Sequence, residues 1–217
     1  MRYGLLLASA LLLAVTAGCN IITATAYYLR PPQIAKPEYE FPPGSRVAVV
    51  IEAAPTTSEN PVFNEALYER LVETVRAGKS KATFLPLDAV TALRQAHPDF
   101  DTWSIQRIGR ELGADHVLYL RIDRLVIRQA PDYPVLTPSV ELRMKLIGVA
   151  QPGVHARLWP DREERDGRLV VCTRPTREAG SPAIADSEAR KLGYDTAFHV
   201  ARPFITVDLE QKPPVER

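Results

Sequence analysis

Apolar positions follow two different rhythms along this chain. Val47 to Ile51 is an unbroken apolar run, which predicts a strand buried on both faces. Val140, Leu142, Met144 and Leu146 instead alternate with Glu141, Arg143 and Lys145, which predicts a strand with one dry and one wet face. Between them, Asn60-Pro61 opens a helix, with Asn as cap and Pro at the first helical position, carrying Phe63, Leu67, Leu71 and Val75 on one side and closing at Gly78. Thr83-Phe84-Leu85 predicts a short strand stopped by Pro86. Asp88 then caps a helix through Val90 and Leu93 that ends near His97-Pro98. Asp101 to Leu112 predicts another helix, with Ile105, Ile108 and Leu112 on one face and Gly113 as its stop. His116 to Ile127 predicts a long strand, and Pro131 to Pro138 a loop. Val154 to Leu158 and Arg168 to Thr173 predict two strands joined around Asp166-Gly167. Asp186 or Ser187 opens a last helix, which Pro203 breaks, with Phe204, Ile205 and Val207 packing back on the core.

The order β-α-β-α-α-β, then three strands, then a helix predicts an α/β fold, a single mixed-sheet sandwich with helices packed on one face. The domain spans 45–210, and 211–217 is a frayed tail. Upstream, Asn20 to Gly44 carries Arg30-Pro31-Pro32 and Lys36-Pro37, the composition of a short, semi-rigid tether.

The first residues change the picture most. Arg2 is a positive n-region, Leu5 to Val15 an apolar h-region, and Ala17-Gly18 a small pair before Cys19. This layout resembles a bacterial lipoprotein signal, in which residues 1–18 are removed by a cut between Gly18 and Cys19 and Cys19 receives lipid. Two or three acyl chains make a lasting anchor, because each buried methylene contributes about 0.8 kcal/mol. An uncleaved anchor helix is the alternative, since no charge falls between Arg2 and Arg30; Thr23 and Thr25 weigh against it. In either case the domain is tethered to a membrane, facing away from the cytoplasm. With Cys19 lipidated, Cys172 is left without an intramolecular partner. Its apolar run, Leu169 to Cys172, predicts a buried strand thiol, and a disulfide-linked dimer is the remaining alternative.

The 217 residues carry a formal net charge of +1, with 24% charged and 46% hydrophobic residues, an ordinary globular balance that gives no reason to expect a nucleic-acid partner. His97, His116, His155 and His199 are not at metal-ligand spacing, and no Gly-x-Ser-x-Gly or phosphate-cradling glycine loop is present. Neither catalysis, a metal nor a cofactor is therefore expected. Asp161-Arg162-Glu163-Glu164-Arg165-Asp166 reads as a solvated hairpin loop. A sharper reading makes Trp159, Asp161, Arg162, Glu163 and Glu164 a partner-docking edge, with Trp159 either an exposed anchor or a core Trp at a strand end.

The segment from Ser104 to Leu118, in which Ile105 to Leu112 is followed by Gly113-Ala114-Asp115 and then His116-Val117-Leu118, resembles a helix, Gly-Ala-Asp, strand signature. Curli-secretion lipoproteins, lipoprotein activators of penicillin-binding proteins and the N-terminal domain of the Tol-system translocation protein share it. Ala156 to Pro160 also resembles uncharacterised lipoproteins of planctomycete-type bacteria. The resemblance implies an anticodon-binding-like domain in an envelope assembly, and Asn20 after the Cys implies the outer membrane. Gly113, Ala114 and Asp115 have structural roles in that signature, so it carries fold rather than function. The expectation is a non-enzymatic, lipid-anchored periplasmic accessory protein that contacts membrane lipid through Cys19 and docks on other envelope proteins. A self-assembling ring is a further option. The alternative is an envelope small-ligand binder or hydrolase, with His116 or His155 near Asp115 or Asp161.

Overall fold

The computed structural model describes residues 34–130, 133–161 and 164–208. The chain divides into two units, Met1–Ala35 with Asp208–Lys212, and Lys36–Val207 with Pro213–Arg217. The described residues of the first unit, Ile34, Ala35 and Asp208, are in extended conformation. The second unit carries the fold, and its elements are numbered within it.

Strand β1 is Arg46–Ala53, helix α1 Pro61–Ala77, β2 Thr83–Phe84, α2 Leu87–Ala96 and α3 Ile105–Glu111. A long hairpin follows, β3 His116–Arg128 and β4 Val135–Gly148. Short strands β5 Arg157–Trp159, β6 Arg168–Thr173 and β7 Arg177–Glu178 lead to α4, Pro182–Ala201. All seven strands form one mixed sheet, with spatial order β2-β1-β3-β4-β5 and β6 and β7 also on β4. β1 is parallel to β2 and β3, and β4 is antiparallel to β3.

The local signals in α1 act as expected: Asn60 Oδ1 accepts the Phe63 N–H at 3.0 Å, and Pro61 is the first helical residue. At the end of α3, Gly113 has φ 62°, Ala114 N–H donates to Gly109 O at 2.8 Å and Gly113 N–H to Arg110 O at 3.0 Å. These are the two bonds of a Schellman cap. Asp115 then ties three elements together. Its carboxylate accepts the Arg46 N–H at 2.8 Å, its own N–H reaches Arg46 O, and its carbonyl accepts Val149 N–H.

The β1 run is buried on both sides, and this changes the layering. Val47, Val49 and Ile51 face α1 and α4, whereas Ala48 and Val50 face α2 and α3. Helices therefore cover both faces of the sheet around β1, and not the single face expected. α1 and α4 approach closely because Gly193 faces α1: a Cβ there would lie 2.8 Å from Phe63 O.

Four other expectations are corrected. Residues 101–112 are not one helix, because a 3-10 turn, Phe100–Thr102, ends at Trp103 and Ser104 caps α3 anew. α2 starts after Pro86, with Asp88 inside its first turn. α4 starts at Pro182, before Asp186. Pro138 belongs to β4, not to a loop. It sits where the register of β3 and β4 shifts between Val126 and Arg128, a bulge that tolerates a residue without an N–H.

Candidate functional site

Along the outer edge of β4, strands β5, β6 and β7 lie one after another. β5 pairs at Leu146 and Ile147, β6 from Ser139 to Met144, and β7 at Val135 and Leu136. β5 and β6 therefore pair with β4 and not with each other, so the strands flanking the charged run do not form the expected hairpin. Trp159, at the end of β5, is 5% exposed and is a core residue. Its Nε1–H donates to Glu38 at 3.0 Å, its ring meets Phe204, and the Arg168 guanidinium lies 5.1 Å above it. Glu164 is paired with Arg168 at 2.8 Å, and Asp161 is exposed. Arg162 and Glu163, like Gly18 and Cys19, lie outside the described residues.

The surface that stands open is elsewhere. β4 turns Leu136, Val140, Leu142, Met144 and Leu146 into the core and presents Glu141, Arg143 and Lys145 on the other face. Opposite them in register are Val171 to Glu141, Leu169 to Arg143, Arg121 to Arg143 and Tyr119 to Lys145. α2 and α3 cover this face beside β1, and among the described residues no helix continues over β4 and β6. Leu169 is consequently 48% and Val171 53% exposed, while Val170 and Cys172 face the core. The Cys172 thiol is buried, and burial pushes its pKa up, as for a structural thiol. Among the described residues, β6 pairs on the β4 side alone, which leaves an edge able to pair again.

The open face carries Arg121, Arg143 and Lys145 together with Glu141 and Asp123. A register shift between Ile122 and Arg124 places Asp123 in a bulge, where its carboxylate holds Arg121 at 2.8 Å and Arg143 at 2.9 Å. One carboxylate thus serves two guanidiniums on facing strands. Burial first, and then the charges of Arg157, Arg121 and Arg143, lower the pKa of the Lys145 ammonium against the opposing pull of Asp166.

A polar cleft lies where the carboxyl end of β1 meets the first half of β3. It has a volume of about 470 Å³ and is lined by Glu52, Pro55, Glu59, Arg94, Asp101, Tyr119 and Arg121, among others. The Tyr119 hydroxyl donates to Glu52 at 2.6 Å; burial, and then that carboxylate, pushes the phenol well above its ordinary pKa of 10.0. Arg94 is 3.7 Å from Glu52, 3.6 Å from Glu59 and 4.0 Å from Asp101, and stacks over Phe100.

His116 is 6% exposed, its Nε2 is 3.1 Å from the Tyr39 hydroxyl, and burial lowers its pKa below the ordinary 6.5. The Asp115 carboxylate is taken by the Arg46 backbone. His155 is exposed in a 3-10 turn, Gly153–Ala156. Among the described residues, no group of three or more His, Cys, Asp or Glu could hold a metal ion, and no helix is long and apolar enough to cross a membrane.

Sequence reasoning missed Leu169 and Val171 as surface residues. They sit inside a continuous apolar run that reads as buried, and only the bare face beside β4 exposes every second residue of it. Arg143 and Lys145 were legible as the wet side of an alternating strand. That Arg121 would join them required the pairing of β3 with β4.

Neither a family model nor a curated protein matches the chain. Among solved structures, it is similar to the PelC dodecamer from Paraburkholderia phytofirmans, at 18% identity and TM-score 0.35, over 79% of this chain and 96% of that one. It is similar to lipoprotein GNA1162 from Neisseria meningitidis, at 9% identity and TM-score 0.40, over 66% of this chain and 91% of that one. The LpoB C-terminal domain from Salmonella enterica is similar at 20% identity and TM-score 0.34, over 61% of this chain and 83% of that one. At these identities and scores, no role passes from those proteins to residues of this chain.

Proposed function

We propose that this protein is a lipid-anchored accessory component of a bacterial envelope, held through Cys19 on the periplasmic face of the outer membrane, and that it acts by docking on other envelope proteins. The observation that carries this reading is the uncovered face of β4 and β6, where Leu169 and Val171 stand exposed beside the cationic pair Arg121 and Arg143. Apolar side chains rimmed by charge, on a strand with an open edge, have the chemistry of a protein contact. A photo-crosslinking side chain at position 169, introduced in cells, is expected to capture a discrete protein band, and one at the exposed Glu111 is expected to capture none. Equal labelling from both positions, or none from 169, overturns the reading.

The polar cleft favours a second reading, a small-ligand binder or hydrolase. A small-molecule thermal-shift panel combined with a hydrolase screen tests it. A hit that Arg94→Ala abolishes supports this reading, and a panel without hits removes it.

A further inference from the structure

The chain carries its own complement to the open face. α1 packs on the opposite side of the sheet, burying Phe63, Leu67, Leu71 and Val75 against β1 and α4. Its outward side presents Glu65, Glu69 and Glu73, each exposed and four residues from the next, which puts them in one line along the helix. Arg70 pairs with Glu73 at 2.6 Å, while Glu65 and Glu69 lead the stripe. A carboxylate line on α1 thus stands on one side of the sheet, and the cationic cluster Arg121, Arg143 and Lys145, with Asp123 and Glu141 beside it, on the other. On the cationic side Asp123 is shared between two arginines, and Glu141 is exposed on the same face opposite Val171.

We infer that the occupant of the open face is a second copy of this chain, docked head to tail, with the Glu65–Glu69–Glu73 side of α1 laid over Arg121, Arg143 and Lys145 and flanked by Leu169 and Val171. This rests on the docking reading above and names the partner. The contact joins unlike surfaces, so it is heterologous. Repetition closes a ring if the rotation per copy permits and otherwise extends a filament. Anchoring confines copies to a surface with a common orientation, which raises their effective concentration. Charge pairing across a partly wet interface sets register and partner choice and weakens with salt.

The test is native mass spectrometry and sedimentation velocity of the full-length protein, purified from membranes in mild detergent, at low and high salt. Lys145→Glu and Glu69→Lys each reverse one side of the contact. Lys145 is half-buried on the wet side of β4 and Glu69 is exposed, so neither change removes a core contact. The expected result is an assembly in the wild type that dissociates with salt, association weaker by about tenfold or more in each single variant, and recovery in the double variant. Leu169→Asp provides an independent arm and is expected to weaken association without altering the thermal melt. A wild type that stays monomeric, single variants that assemble like the wild type, or a double variant that does not recover overturns the inference. A monomeric wild type that still crosslinks to another protein from position 169 overturns self-association and leaves the docking reading standing. A monomer without any crosslink sinks both.

Discussion

Glu188 shows how one side chain can organise a junction. It is 2% exposed and lies between Arg174 at 3.3 Å, Arg177 at 3.1 Å and Lys191 at 3.1 Å, while Arg174 also pairs with Asp195. Burial, the largest influence, pushes its carboxyl up, but the hydrogen bonds from Lys191 and Arg174 hold the net value below the ordinary 4.5. A carboxyl depressed by folding contributes stability that is present above pH 4.5 and lost as the pH falls through the folded value. His116 acts with the same sign. Burial lowers its pKa below 6.5, so the unfolded chain takes up a proton first and stability falls from pH 6.5 downward. Urea unfolding should therefore give a midpoint that declines in two stages on acidification. Glu188→Gln should lower stability at pH 7 by about 2 kcal/mol and flatten the lower stage. A variant as stable as the wild type at pH 7 would contradict the role given to Glu188.

At the scale of elements, close approach decides more than propensity. Ala in place of Gly within a helix ordinarily adds about 1 kcal/mol. At Gly193 the added methyl would meet Phe63 O at 2.8 Å and Ala66 Cβ at 2.9 Å, and a backbone carbonyl cannot step aside without moving α1. Gly193→Ala should therefore destabilise the fold by about 1–3 kcal/mol, read from the shift in denaturation midpoint. A stabilised variant would mean that α1 and α4 adjust freely. The same weighing explains where the elements were legible. Asn60-Pro61 and Gly113 act within a few residues, so α1 and the end of α3 follow from local chemistry. The break at Trp103 is held by side-chain contacts to residues four positions away on either side, and α4 starts early at Pro182, a first-turn proline after Ser181. The Trp103 indole donates to Asp99 at 2.8 Å and lies 3.7 Å under the Arg107 guanidinium, an arrangement that no periodicity encodes.

For the whole molecule, the membrane anchor is the largest prediction. Labelled palmitate should enter the wild-type protein and fail to enter Cys19→Ala, which should also retain its uncleaved N-terminus. Labelling of the variant would remove the lipoprotein reading. Loss of the anchor should leave the fold unchanged, since the described core cluster runs from Phe41 to Ile205. Any assembly of copies should then weaken through lower effective concentration alone.

The sequence by itself determined the elements whose signals are local: two strand rhythms, the Asn-Pro start of α1 and the Gly-Ala-Asp turn. It also determined that Val140 to Leu146 has a charged side, because a side-chain period of two needs no partner to be read. Tertiary structure alone decided which surface is left open. β5, β6 and β7 share one edge of β4, helices cover both faces around β1, and nothing among the described residues covers Leu169 and Val171. An apolar run looks the same whether one face of its sheet is covered or bare, and coverage depends on where distant helices settle.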